Sequence, residues 1–97
     1  MNISLDYDNT YTRDPVYWNQ FIDLSARSGH SVYCVTMRYN HQWEADEVIN
    51  SIGLKIGKDN CYFTNRKNKK EFMFGKNISI DVWIDDNPFF IYTDASS

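Results

Sequence analysis

The sequence predicts one α/β domain, built on a minimal parallel sheet of about four strands with helices packed against it. Short β-rich apolar runs alternate with segments whose apolar residues recur at helical spacing, the order that parallel βαβ units require. Each apolar run ends in a cluster of polar or charged residues, as a buried strand does where its C-terminal end opens into a loop. With 97 residues, 42 % hydrophobic and 16 % aromatic, the chain carries enough apolar material to order one core and is too short for two. Residues 1–97 are therefore read as a single domain.

Ile3-Ser4-Leu5 is the first strand, and it runs into Asp6-Tyr7-Asp8-Asn9-Thr10. Asp14-Pro15 then supplies an N-cap and a proline at the first helical position. Trp18, Phe21, Ile22 and Ser25 follow at helical spacing, and Gly29 closes this helix in a left-handed conformation. Ser31-Val32-Tyr33-Cys34-Val35 is the second strand, ending in Thr36-Met37-Arg38. Ala45, Val48, Ile49 and Ile52 share one helix face with Gly53 behind them, which predicts a second helix ended by that glycine. Cys61-Tyr62-Phe63 is a third, short strand that leads through Thr64-Asn65-Arg66-Lys67-Asn68 into a helix carrying Phe72 and Met73. Val82-Trp83-Ile84 is the fourth, and it ends in Asp85-Asp86-Asn87-Pro88. Right-handed crossovers bring the C-terminal ends of all these strands to one edge of the sheet.

A net charge of −3 and a pI near 5.1 oppose non-specific binding to nucleic acid or anionic membrane, which depends on summed Lys and Arg attraction to phosphates. The N-terminus has no basic stretch ahead of an apolar one, and nowhere do about 18 apolar residues run together. A cytoplasmic protein without a membrane partner is expected. Cys34 and Cys61 lie in apolar runs and read as buried free thiols, and without clustered histidines they form no zinc pattern. His30 and His41 read as surface residues. Trp18, Trp43 and Trp83 read as core or groove wall, with Trp43 placed to line a crevice. Of the basic run Arg66, Lys67, Lys69 and Lys70, one member is expected to act and the rest to form a solvated face.

The predicted sheet edge gathers Asp6, Asp8, Asp85 and Asp86 with Thr36, Arg38 and the basic run. Carboxylates that converge in this way repel one another unless a cation sits between them. Oxygen donors without His or Cys suit Mg²⁺ rather than zinc, and such a site keeps positions open for phosphate oxygens. A lysine and the Thr36 hydroxyl would hold the other phosphate oxygens, and an aspartate would attack phosphorus.

On these residues the chain resembles the haloacid dehalogenase (HAD) superfamily over roughly residues 3–90. Ile3-Ser4-Leu5-Asp6-Tyr7-Asp8-Asn9-Thr10 looks like its first motif, a strand ending in D-x-D-x-T. Tyr33-Cys34-Val35-Thr36 looks like the second, the lysines before the third helix occupy the place of the third, and Val82-Trp83-Ile84-Asp85-Asp86 looks like a double-aspartate fourth. The resemblance implies a three-layer α/β/α Rossmann-like fold without a cap domain. It also implies an Mg²⁺-dependent phosphatase that works through a covalent aspartyl-phosphate. Asp6 would be the nucleophile, and Asp8 the acid for the leaving group and then the base for water. Thr36 and the motif III lysine would bind the phosphoryl group. Lys69 comes first for that lysine because Phe72 and Met73 share its helix face, with Lys70 and Lys67 after it. Asp86 would touch the metal with Asp85 in support, beside the Asp6 carboxylate and the Asp8 carbonyl.

Thr36-Met37-Arg38 is also similar to the Ser/Thr-x-Arg of polynucleotide 3′-phosphatases, which makes Arg38 a candidate substrate contact. The expected substrate is a phosphorylated small molecule or nucleotide-like compound, with nucleic acid entering only as a substrate end. The competing reading is a HAD-like binding or regulatory protein without catalysis, suggested by the short stretch after the fourth strand. The many retained carboxylates oppose it.

Overall fold

The computed structural model describes residues 1–96. Strands β1 (Asn2–Leu5), β2 (Ser31–Thr36), β3 (Cys61–Phe63) and β4 (Val82–Ile84) form one sheet in the order β3-β2-β1-β4, every pair parallel. The small parallel sheet expected from the alternating runs is therefore present. Between and after the strands lie α1 (Pro15–Arg27), α2 (Gln42–Ile49), α3 (Ile52–Ile56), α4 (Lys69–Gly75) and α5 (Phe89–Tyr92), with short 3-10 turns at Tyr11–Arg13 and Lys58–Asn60. No helix among the described residues is long and apolar enough to cross a membrane.

Helix α1 begins as its sequence dictates. The Asp14 carboxylate accepts from the Tyr17 N–H at 3.1 Å, and Pro15 follows it at the start of the helix. Gly29, at φ +82°, turns the chain out of the helix toward β2. Removing the cap by Asp14→Ala should cost about 1 kcal/mol, which for a domain of this size lowers the melting temperature by about 4–8 °C. A thermal melt followed by circular dichroism checks it, and an unchanged midpoint would show that the cap contributes nothing.

One correction concerns the second helix. Gly53 does not end it: α2 stops at Ile49, and α3 resumes at Ile52 with Gly53 inside. The cause is Ser51, whose hydroxyl donates to the Glu47 carbonyl at 2.6 Å and so takes up a group that continued helix would have used. Gly53 meets a packing need instead, since a Cβ there would lie 3.4 Å from the Val48 carbonyl and 3.6 Å from Cys61 Sγ. Gly57, at φ +90°, ends α3. Helix α5 had no periodic signal in Phe89-Phe90-Ile91-Tyr92 and was not expected.

Alternate strand residues Leu5, Val32, Cys34, Cys61 and Phe63 build one core with Tyr7, Ile22, Ala45, Val48 and Ile52. Helices α1 and α3 pack on β2 and on each other, α2 lies against β3, and α4 packs with α5. Val35, Met73 and Ile91 are buried outside that core. Cys34 and Cys61 face each other in register across β2 and β3 as buried free thiols, and burial pushes the Cys61 thiol up to about 11.

Candidate active site

The strand register decides which side chains meet. Leu5 is opposite Ile84 in the β1/β4 pair, and the Asp6 N–H continues that ladder to the Ile84 carbonyl at 2.9 Å. Asp6 and Asp85 thus leave neighbouring parallel strands side by side. Thr36 ends β2 on the other flank of β1, opposite Phe63 at the end of β3.

Lys69, the first residue of α4, reaches into this edge. Its ammonium donates to Asp6 Oδ1 at 2.8 Å and to Asp85 Oδ2 at 2.5 Å, and all three side chains are less than one-tenth exposed. Burial alone would lower the lysine, but the two carboxylates outweigh it and hold the ammonium above its ordinary value. Burial is also the largest influence on Asp6; Lys69 opposes it, Asp86 and Asp85 reinforce it, and the carboxyl is pushed up to about 7. One oxygen each from Asp6, Asp85 and Asp86 lies within 4.8 Å of the others. Thr10 fastens the group: its hydroxyl is 3.1 Å from Asp6 Oδ2 and 3.3 Å from Asp86 Oδ1, and accepts from the Asp86 N–H at 3.2 Å.

With all three carboxylates ionised, one ammonium leaves two negative charges uncompensated, the charge of one divalent cation. Mg–O bonds of about 2.1 Å hold neighbouring oxygens about 3 Å apart, so these oxygens, within 4.8 Å of one another, would have to draw together to share one ion. The donor set is oxygen throughout, and the residues present fit Mg²⁺.

Asp8 stands apart from that group. Its two oxygens accept from Arg38 Nε at 2.9 Å and Arg38 Nη2 at 2.8 Å, and the same guanidinium donates to Glu47 Oε1 at 3.0 Å and the Glu44 carbonyl at 2.9 Å. Arg38 lies 5.0 Å over the Tyr7 ring and 5.7 Å from that of Trp43. The Thr36 hydroxyl is buried, accepts from the Arg38 N–H at 3.3 Å with its own proton available, and lines a cavity together with Asp6, Asp8 and Arg38.

That cavity, about 410 Å³, runs along the carboxyl ends of the strands and is lined by Asp6, Asp8, Thr36, Arg38, Lys69, Asp85 and Asp86, with Trp43, Arg66 and Phe90 on its walls. The chain matches no protein-family model, no curated protein and no solved structure.

Of the three lysines, Lys69 alone reaches the carboxylates. The Lys70 ammonium lies 5.4 Å over the Tyr92 ring, away from the expected phosphate site, and that of Lys67 is exposed, 4.0 Å from Asp94. Asp85 and Asp86 are both within reach of Asp6, with Asp85 the more buried and tied to Lys69. Arg66 departs from the solvated face expected of it: it is half-buried and lines the cavity. Its loop is strained, with Asn65 at φ +54° and Arg66 at φ +71°. Backbone bonds hold it there, from Arg66 N–H to the Met37 carbonyl at 3.0 Å and from Ala95 N–H to the Arg66 carbonyl at 2.8 Å. Asn68, which caps α4, is in turn bonded through its N–H to Asp94 Oδ1 at 2.7 Å.

Proposed function

We propose that the protein is an Mg²⁺-dependent phosphomonoester hydrolase of the HAD type, with the three-layer form of that fold and Asp6 as its nucleophile. The observation that carries the reading is the Lys69 ammonium bridging Asp6 and Asp85 at the ends of adjacent parallel strands, with Asp86 in reach. Ion pairs buried this deeply are costly to build and cluster where charge is handled during a reaction. The burial of Met73 and Ile91 outside the main core supports a second covered face of the sheet.

In this reading the Asp6 carboxylate attacks phosphorus, the ester bond breaks, and the leaving oxygen takes a proton from Asp8. Water then attacks the aspartyl-phosphate, giving its proton to Asp8 and returning Asp6 and inorganic phosphate. Lys69 has a third N–H free, and with the Thr36 hydroxyl it donates to the phosphoryl oxygens. Asp6, Asp85 and Asp86 would hold Mg²⁺, which when bound would supply neutralising charge for the phosphoryl group. For Asp8 to move protons its carboxylate must leave Arg38, and its half-exposed position gives it room to do so.

A panel of sugar phosphates, nucleotides and 3′- or 5′-phosphorylated oligonucleotides, assayed with and without Mg²⁺, tests the reading. Hydrolysis that stops on chelation is expected, and full activity after chelation overturns it. The exposed Trp43 ring on the cavity wall offers a face for a base, which is why nucleotides and oligonucleotide ends belong in the panel.

Stability gives a second readout. With no metal bound, Asp6 is held near 7 against an ordinary value of 3.8. Its stabilising contribution is complete below the ordinary value and is lost as pH rises through about 7. Metal needs the deprotonated form, so Mg²⁺ should stabilise most where Asp6 alone stabilises least. At about one hundred times its dissociation constant, Mg²⁺ should raise the melting temperature by on the order of 10 °C at pH 8. It should do little at pH 5. Equal shifts at both pH values, or none at pH 8, would exclude Asp6 as a ligand.

A further inference from the structure

We propose that Arg66 forms a second anion subsite in the same cavity, selecting phosphomonoesters whose leaving group carries another anionic group, a carboxylate or a second phosphate. The inference rests on the phosphatase reading and adds the substrate class to it. Three cations line the cavity, and two of them are neutralised within the protein: Lys69 by Asp6 and Asp85, Arg38 by Asp8 and Glu47. Among the described residues the Arg66 guanidinium forms neither an ion pair nor a side-chain hydrogen bond, although its Nε is buried. A buried donor without an acceptor is unfavourable, and folded proteins keep few of them.

The side chain is also held in place. Its guanidinium lies 5.8 Å over the Tyr39 ring, and its backbone keeps a left-handed φ of +71°. Hydrogen bonds to the loop after β2 and to Ala95 fix that backbone on both sides. A solvated surface arginine needs none of this. The cavity of about 410 Å³ has room for much more than one phosphoryl group, and it falls in the range of small-molecule sites. With the phosphoryl group on Lys69 and Thr36, the remaining volume reaches Arg66, where a planar fork of donors suits a carboxylate or phosphate.

The test compares phenyl phosphate with 4-carboxyphenyl phosphate and 1,4-phenylene bisphosphate on wild type, Arg66→Met and Arg66→Lys, each checked for an unaltered melting temperature. Wild type should favour the two doubly functionalised esters in kcat/KM, mainly through KM, by on the order of 10- to 100-fold, the worth of a charge-assisted hydrogen bond. The relative size of the two preferences tells carboxylate from phosphate. Arg66→Met should bring the ratio to within about 2-fold of unity, with Arg66→Lys between. A ratio near unity in wild type, or the wild-type ratio undiminished in folded Arg66→Met, overturns the proposal. If wild type hydrolyses none of the esters, the phosphatase reading has failed, and calorimetric binding of benzylphosphonate against 4-carboxybenzylphosphonate decides the subsite alone. Tighter binding of the carboxylated analogue that disappears in Arg66→Met supports it, and equal binding or none overturns it.

Discussion

Asp6→Asn should abolish phosphomonoester hydrolysis while leaving the fold intact. An amide oxygen in place of Asp6 Oδ1 still accepts from Lys69, whose charge keeps a partner in Asp85. What disappears is the carboxylate that, on the phosphatase proposal, attacks phosphorus. Removing the nucleophile of a covalent mechanism costs on the order of 10⁶-fold in kcat, so the variant should turn over at background. Asp8→Asn keeps the nucleophile and loses the proton donor, a loss on the order of 10²–10⁴-fold for each transfer. Beryllium fluoride, which mimics a phosphoryl group on an aspartate, separates the two roles. It should form an adduct on wild type and Asp8→Asn and none on Asp6→Asn, read by mass spectrometry or ¹⁹F NMR. Turnover by Asp6→Asn, or an adduct on it, would mean that another carboxylate attacks.

Lys69→Met should damage both stability and activity. The substitution leaves Asp6 and Asp85 buried at the site with no cation between them. Breaking a buried pair by removing one partner costs about 3–5 kcal/mol, and in a domain this small the melting temperature should fall by on the order of 20 °C. Mg²⁺ should restore part of that loss, because it returns positive charge to the same carboxylates. Even when refolded by Mg²⁺, the variant should lose on the order of 10²–10³-fold in kcat, the effect of deleting one preorganised donor to a developing charge. Lys69→Arg keeps the charge in another shape, so it should recover stability more than rate. A Lys69→Met protein that melts and turns over like wild type would remove the bridge from both the fold and the chemistry.

Much of this arrangement is legible in the sequence because it depends on short-range patterns. Apolar runs that end in polar clusters are local signals, and so is the Asp14-Pro15 start of α1. The parallel order then forces Asp6, Thr36 and Asp85 onto one edge. What stays hidden depends on single side chains acting at a distance. Ser51 breaks the helix with one hydroxyl, which no hydrophobic period records. Arg38 and Asp8 are 30 residues apart in the chain, and nothing in either segment announces that they will pair. In the run Arg66-Lys67-Asn68-Lys69-Lys70 the letters carry charge but no direction. The structure sends Lys69 to the carboxylates, Arg66 to the cavity wall, Lys70 to Tyr92 and Lys67 outward. Thr10 was visible only as the last letter of D-x-D-x-T, without the bonds that tie Asp6 to Asp86.

The strand order has a consequence for synthesis on the ribosome. Strand β1 is made first and sits inside the sheet, yet one of its neighbours, β4, is made last, so Ile3 waits for Val82. The carboxylates beyond them come from the two ends of the sequence in the same way. The loop that carries Arg66 and the cap of the helix that carries Lys69 wait later still, for Asp94 and Ala95. Pairings this distant along the chain close slowly. The Arg66 loop and the cap of α4 therefore gain their last bonds only after residue 95 has left the exit tunnel, so on the phosphatase reading the site is assembled late in synthesis.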